Sequence, residues 1–252
     1  MKKILLTVAF VSSLAISGEQ FSMSDADKKM YEEMKENNPA DIFVADGEEK
    51  FEELFGGEEA LAKFLEVSEK ELYRYIAGFP RYIKKMGNVV GLDQVLQAMQ
   101  VEAGKKMAPL GSEVIDFTSA YVKSLANDEN ITIDVEADDA IKASYALGEK
   151  IYSTRRGYRG LSCKSCHAMA GALLRTQRLP DMGEVNTGGT WPAYRMTMSK
   201  LVTLQERSQK CMIDAGQKPL PLGSKEMVGL EVYITNMAKE KKQVIEIPGL
   251  KR

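Results

Sequence analysis

Cys163-Lys-Ser-Cys166-His167 gathers two thiols and an imidazole within five residues, and the chain has one further cysteine, Cys211, and no other histidine. Thiols at this spacing lie about one helical turn apart. They can add to the two vinyl groups of a haem, while the adjacent imidazole reaches the iron as proximal ligand. Three other chemistries compete for the same residues. A Cys163 to Cys166 disulfide would leave the histidine unexplained. A thioredoxin-like pair would want a βαβ surround, and the flanks read as helix and loop. A zinc site would need all three cysteines and His167, with neighbouring Cys166 and His167 sharing one tetrahedron. One covalently bound haem c, carried by Cys163, Cys166 and His167, uses every member of the motif.

A single histidine excludes bis-histidine ligation within the chain. In a cytochrome c domain the distal ligand usually comes from a loop ahead of the closing helix. That directs attention to Trp191 through Gly223, which holds Met196, Met198, Cys211 and Met212. Methionine is the common ligand for electron transfer, and scattered methionines are also common core filling. Once haem consumes the other two cysteines, Cys211 is a lone thiol. As a thiolate it could bind iron or act as a nucleophile, helped by nearby positive charge. Arg207 stands four residues earlier, on the same face if Leu204 to Met212 is helical. Its guanidinium would lower the thiol pKa and could hold a small oxyanion through two hydrogen bonds. A buried inert cysteine beside a surface arginine is the alternative left open.

Several elements must position these groups. The chain opens Met1-Lys2-Lys3, then a mostly apolar run from Ile4 to Ile16, with Ala15 and Ser17 at the spacing of a signal-peptidase site. Residues 1–17 are therefore expected to be a signal peptide, the mature chain to begin near Gly18, and the compartment to be oxidising. No stretch approaches the twenty or so apolar residues of a membrane helix, so no membrane span is expected. A formal net charge of -2 gives no reason to expect nucleic acid as a partner. The acidic stretch from Asp25 to Glu59 reads as solvated helix faces.

Laid on itself at a shift of 112 residues, the sequence aligns Pro80 with Pro192, Tyr82 with Tyr194 and Met86 with Met198, and then Leu110-Gly-Ser112 with Leu222-Gly-Ser224. Between 79–125 and 191–237 there are 14 identities in 47 positions, against about 3 for unrelated segments, so duplication is the economical explanation. The expected organisation is a mainly α chain of two tandem cytochrome c-like domains, 18–126 and 138–252, joined by a polar linker at 127–137. Asp138 to Tyr152 reads as the first helix of the second domain. Ser68-Glu-Lys-Glu71 reads as a capping box opening a helix in the first. After each Leu-Gly-Ser, apolar residues at helical spacing give a closing helix. The first domain has no cysteine or histidine and so no means of attaching haem. Met99 stands where Cys211 does, and Val95 where Arg207 does.

Cys163 to His167, Trp191-Pro-Ala-Tyr-Arg195 and Arg207-Ser-Gln-Lys-Cys211 occur in this order, and together they resemble the SoxA family, the larger subunits of the SoxAX cytochromes that begin thiosulfate oxidation in the periplasm. The resemblance covers most of the mature chain and implies two cytochrome c-like domains. It implies the single-haem form of the family, since nothing before Cys163 can bind haem. It implies Cys211 as distal iron ligand opposite His167, commonly found as a persulfide, and Cys211 with Arg207 as catalytic residues. The activity implied is that of an L-cysteine S-thiosulfotransferase subunit, which couples thiosulfate oxidatively to a cysteine of the SoxYZ carrier protein as two electrons leave through haem. One haem takes one electron, so a SoxX-like monohaem cytochrome is the implied partner subunit. The competing expectation is a periplasmic electron carrier with His/Met ligation, through Met198 or Met212, and no catalysis. The loop Asn186 to Thr190 is assigned no role.

Overall fold

A computed structural model describes residues 25–168, 173–174 and 177–251; the expected signal peptide at 1–17 lies outside the described residues. The first half runs α1 (Asp25–Glu36), α2 (Asp41–Phe55), α3 (Gly57–Leu65), α4 (Glu69–Ile76), β1 (Arg81–Ile83), β2 (Asn88–Val90), α5 (Leu92–Glu102) and α6 (Glu113–Ser124). The second runs α7 (Asp139–Ser153), α8 (Cys163–His167), β3 (Leu173–Leu174), β4 (Gln177–Arg178), β5 (Ala193–Arg195), β6 (Lys200–Val202), α9 (Leu204–Asp214), α10 (Lys225–Glu240) and β7 (Gly249–Lys251). The fold is mainly α, as expected. The strands are two or three residues long, too short to show the alternation by which a strand is read from sequence.

The sequence shift reappears as geometry. Moving β1, β2 and α5 by 112 residues lands on β5, β6 and α9 at both ends of each element, and α6 lands on the first three turns of α10. Both copies enter their hairpin through a cis proline, Phe79-Pro80 and Trp191-Pro192. The correspondence extends to helices where no residue identity signalled it. A Cβ on Gly47 of α2 would lie 2.1 Å from the Phe117 carbonyl oxygen of α6, and one on Gly148 of α7 would lie 1.9 Å from the Gly229 carbonyl oxygen of α10. Phe117 and Gly229 are themselves 112 apart. Each half is therefore built on a crossing of an early helix, α2 or α7, with its last helix so close that only glycine fits.

What fills the halves differs. In the first, Phe51, Phe55, Leu61, Phe64, Leu72 and Ile76 pack with Val95 and Met99 in one buried apolar cluster. Val95 and Met99, the counterparts of Arg207 and Cys211, are 0% and 5% exposed. The second half has a smaller cluster of Ile151, Tyr152, Trp191, Met212, Met227, Leu230 and Ile234.

Local signals fare unevenly. Asp138 caps α7 by accepting from the Ile141 amide at 2.9 Å. Ser68 does precede α4, but its hydroxyl makes no cap to the backbone and instead donates to the Glu71 carboxylate at 2.6 Å. The exposed pair satisfies each other, so the expected capping box does not form. The stretch 127–137 carries polar residues at its ends but buries Ile131 and Ile133. It is stitched to the chain beyond α10 by Asp128 N to Ile245 O (3.0 Å), Ile245 N to Glu129 O (2.9 Å) and Ile131 N to Gln243 O (3.2 Å). The chain end then runs as β7 beside β5, in parallel. Asn38 and Tyr31 donate to the carbonyls of Pro248 (2.7 Å) and Leu250 (2.6 Å), tying the N-terminal helices to that strand.

A buried polar tie also joins the halves. Lys123 of α6 donates to the carbonyls of Gly188 (3.0 Å) and Trp191 (2.7 Å). It sits among Asp93, Ser119, Gln205 and Glu231, which line one small cavity with Trp191 and Pro192. Burial raises the Asp93 carboxyl and pushes Glu231 up to about 7, and burial lowers the Lys123 ammonium while both carboxylates oppose that shift. Removing the cation would strand two carboxylates and two carbonyls. Lys123→Met is expected to cost about 3–5 kcal/mol, the range for breaking a buried pair by deleting one partner, and urea denaturation monitored by helix circular dichroism would check it. A change under about 1 kcal/mol would show that water replaces the ammonium.

Candidate functional site

The chemistry-bearing motif forms α8, one and a half turns long. The Ser162 hydroxyl accepts from the Ser165 amide at 3.1 Å, and the Ser165 hydroxyl accepts from the Ser162 amide at 3.1 Å. This reciprocal cap starts the helix at Cys163, which sets Cys163 and Cys166 one turn apart on the same face. All three cysteines are unpaired with one another. Burial pushes the Cys163 thiol up to about 11 and raises that of Cys166. Thiols held this way are half-buried and protonated, inert in themselves until something deprotonates or alkylates them.

His167 closes α8 and is 8% exposed. Its Nδ1 lies 2.8 Å from the Pro180 carbonyl oxygen. A carbonyl can only accept, so Nδ1 carries the proton and Nε2 presents its lone pair on the far side of the ring. This is the orientation a metal-binding imidazole takes.

Facing His167 from α9 is Cys211. Thr203 and Glu206 begin that helix with a second reciprocal cap, the Thr203 hydroxyl accepting from the Glu206 amide at 3.3 Å and Glu206 accepting from the Thr203 amide at 2.8 Å. Arg207 and Cys211 then fall one turn apart on one face. Burial alone would raise the Cys211 thiol, but its hydrogen bond with His167 and the neighbouring positive charge, that of Arg207, outweigh it, and the pKa is lowered. The field of Cys211 also reaches Cys163 and Cys166. Cys211 and His167 are thus hydrogen-bonded to each other, and Cys163 and Cys166 lie within reach of the Cys211 charge.

The expected methionines do not join them. Met198 lies in the β5–β6 turn and is 42% exposed. Met212 is 3% exposed and packs into the apolar cluster with Ile151 and Trp191. Met196 is tied through its amide to the Lys251 carbonyl at 2.9 Å. Arg195 is buried at the end of β5. Among the described residues no group of three or more His, Cys, Asp or Glu side chains is placed to hold a metal ion by itself.

Sequence reading missed three participants. Pro180 acts through its main-chain oxygen, which no residue type advertises. Tyr152 and Arg156 have polar atoms that are buried and without a hydrogen-bond partner, the Tyr152 hydroxyl and the Arg156 Nε and Nη2. The Arg156 charge acts to lower the Cys163 thiol, and burial first, then the Cys163 charge, raises the Tyr152 hydroxyl. The loop Asn186 to Thr190 has a packing role. The Asn186 amide donates to the Val244 carbonyl at 2.8 Å, and a Cβ on Gly189 would come within 2.3 Å of that same oxygen.

The donor set suits a c-type haem: two thiols a turn apart, an imidazole fixed through Nδ1, a thiol across from it and buried donors left over. Comparison with known proteins agrees. The family model described as SoxA/TsdA, cytochrome c domain, matches residues 147–242. The L-cysteine S-thiosulfotransferase subunit SoxA of Hydrogenophilus thermoluteolus is 26% identical over 98% of this chain and 95% of that protein. One from Hydrogenobacter thermophilus is 26% identical over 99% and 96%, and that of Chlorobaculum thiosulfatiphilum is 27% identical over 86% and 74%. In fold, the chain is similar to one in the crystal structure of SoxXA from P. pantotrophus, with a TM-score of 0.73, 20% identity, and coverage of 89% of this chain and 84% of that one. With a SoxA/TsdA-type cytochrome c domain matched over 147–242 and relatives aligned over nearly its whole length, the chain is similar to the SoxA subunits.

Proposed function

We propose that this chain is the SoxA subunit of an L-cysteine S-thiosulfotransferase, a periplasmic enzyme that oxidatively joins thiosulfate to a cysteine of a SoxYZ-type carrier protein. The observation that carries this is Cys211 within hydrogen-bonding reach of His167, with Arg207 one turn away on α9. An electron carrier with His/Met ligation would place a methionine there, whereas Met198 is exposed in the β5–β6 turn and Met212 is buried in the apolar cluster.

Cys163 and Cys166 would hold one haem covalently, with His167 and Cys211 as the side chains that would bind its iron. Bound haem supplies a one-electron acceptor. Arg207 would hold the sulfonate end of thiosulfate by paired N–H donors, neutralising a dianion that approaches a thiolate. In the overall reaction the carrier thiol loses its proton, a sulfur–sulfur bond forms between carrier cysteine and the outer sulfur of thiosulfate, and two electrons depart. Cys211, as thiolate or carrying one extra sulfur as a persulfide, is the sulfur that can relay the thiosulfate sulfur to the carrier by exchange. The second electron requires a second acceptor, which a SoxX-like monohaem cytochrome subunit would provide.

In the same reading the chain is two cytochrome c-like domains, 18–126 and 138–252, after a cleaved signal peptide. The first is haem-less because phenylalanine, leucine, valine and methionine side chains fill the corresponding space. Among the described residues no helix is long and apolar enough to cross a membrane.

The test is the electron paramagnetic resonance spectrum of the oxidised, periplasmically matured protein beside Cys211→Met, with the intact mass. The expected result is a low-spin thiolate signal lost in the variant, and a mass with one haem and the leader removed, with or without one extra sulfur. A His/Met-type signal unchanged by the substitution would overturn the assignment and leave the electron carrier.

A further inference from the structure

Arg156 is the least explained residue of the second half. Its backbone is fixed. The amide donates to Leu161 O at 2.9 Å, the two residues form a bridge, and Gly157 beside it has φ +70 with room for no Cβ, which would lie 2.1 Å from the Gly216 carbonyl oxygen. The loop between α7 and α8 is thus clamped against the end of α9, and the side chain leaves a rigid base.

Yet Nε and Nη2 are buried without a partner. These two atoms share one edge of the guanidinium, the side-on fork that grips a planar oxyanion with two parallel N–H bonds. A charge buried with that edge empty is costly. Nearby acids do not fill it: the Asp181 carboxylate accepts from the amides of Gly183 (3.0 Å) and Glu184 (3.1 Å), and Asp214 is paired with Lys210. Arg159, another cation of the loop, donates to the Asp214 carbonyl at 2.9 Å.

The Tyr152 hydroxyl, one helical turn before Arg156 in sequence, is a second buried donor without a partner. The Tyr152 ring packs 5.1 Å from that of Tyr233, and its hydroxyl lies within reach of the charges of Cys163, Asp181 and Cys166. Gln217 is the third unpaired group here, but the atom left over is its Oε1, an acceptor, while Nε2 donates to Leu161 O at 2.7 Å. It cannot serve a carboxylate.

We propose that the Nε–Nη2 edge of Arg156, with the Tyr152 hydroxyl, is a buried oxyanion site that anchors a propionate carboxylate of the covalently attached haem. The inference rests on the haem reading and not on the sulfur chemistry. A haem protein with no thiosulfate activity would still carry it. Arg156 is a positioning residue in this scheme, holding the macrocycle against α8 and neutralising the carboxylate. The sulfonate of thiosulfate has the same oxyanion chemistry and is the other source to be separated.

The experiment compares wild type, Arg156→Gln, Arg156→Lys and Tyr152→Phe, each matured with covalent haem. It reads the propionate vibrational bands, the reduction potential against pH, and the Michaelis constant for thiosulfate. Loss of the buried cation should shift the propionate bands and lower the potential. It should also raise the proton affinity of the propionate, so that the potential acquires a pH dependence at higher pH than in wild type. Arg156→Lys keeps the charge and loses the fork, so its bands shift with little change in potential. If Arg156→Gln does not mature, Arg156→Lys and Tyr152→Phe carry the band measurement. Unshifted propionate bands in every variant obtained overturn the proposal. A raised Michaelis constant with unshifted bands assigns the site to the substrate sulfonate and overturns it equally.

Discussion

Replacing Cys211 with alanine is expected to lower thiosulfate-dependent turnover by about 10,000-fold or more, the size of loss that follows removal of a reacting nucleophile. The argument is positional. Cys211 is the one thiol of the three that the surroundings shift toward thiolate, through His167 and Arg207, while Cys163 and Cys166 are shifted the other way by burial. A thiolate is the sulfur species that forms and exchanges sulfur–sulfur bonds. Arg207→Ala is expected to lose about 100-fold, as when one preorganised charge-stabilising donor is removed, and the loss should weaken as ionic strength rises. The assay is coupled turnover with thiosulfate, a cysteine-bearing carrier protein and a one-electron acceptor, using the assembled complex and confirming one haem by mass. If Cys211→Ala turns over within tenfold of wild type, the thiol is not in the reaction path and the catalytic reading fails.

Gly148→Ala is expected to destabilise the protein by about 3 kcal/mol or more, at or beyond the usual cost of overpacking. The added Cβ would lie 1.9 Å from the Gly229 carbonyl oxygen and 2.9 Å from the Tyr233 Cβ. Backbone cannot rotate aside as a long side chain can, so α7 and α10 must separate. Tyr145 and Tyr152 of α7 pack on Tyr233 of α10, and Ile151 shares the cluster of Leu230 and Ile234, so separation loosens the core against which α8 is held. Urea midpoints of the matured proteins and the yield of covalent haem are the measurements. A midpoint unchanged within about 0.5 kcal/mol would show that the crossing is less tight than described.

Much of the site was legible because it is written in residue types that do little else. The attachment motif, the lone Cys211 and the Arg207 one turn before it are local patterns, and local pattern is what spacing along a helix reports. The repeat was legible where identities survive, from the hairpin to the closing helix. It was silent at α2 and α7, where the conserved quantity is a backbone approach at Gly47 and Gly148 and not a residue sequence.

By itself, then, the amino-acid sequence determined which thiols and imidazole can take haem, that the first half has no group to attach one, and that the chain is a mainly α duplication. Tertiary structure alone decided that Cys211 and not Met198 or Met212 faces His167, because helix phase and the burial of Met212 depend on how α9 docks on the core. It alone turned His167 through the Pro180 carbonyl, made the 127–137 stretch a buried seam through Ile131 and Ile133, and left Arg156 and Tyr152 with unanswered donors. The physical reason is common to all four: a main-chain acceptor, a buried face and an unpaired hydrogen bond are defined by what lies across space, and residues 13 to over 100 positions away supply them.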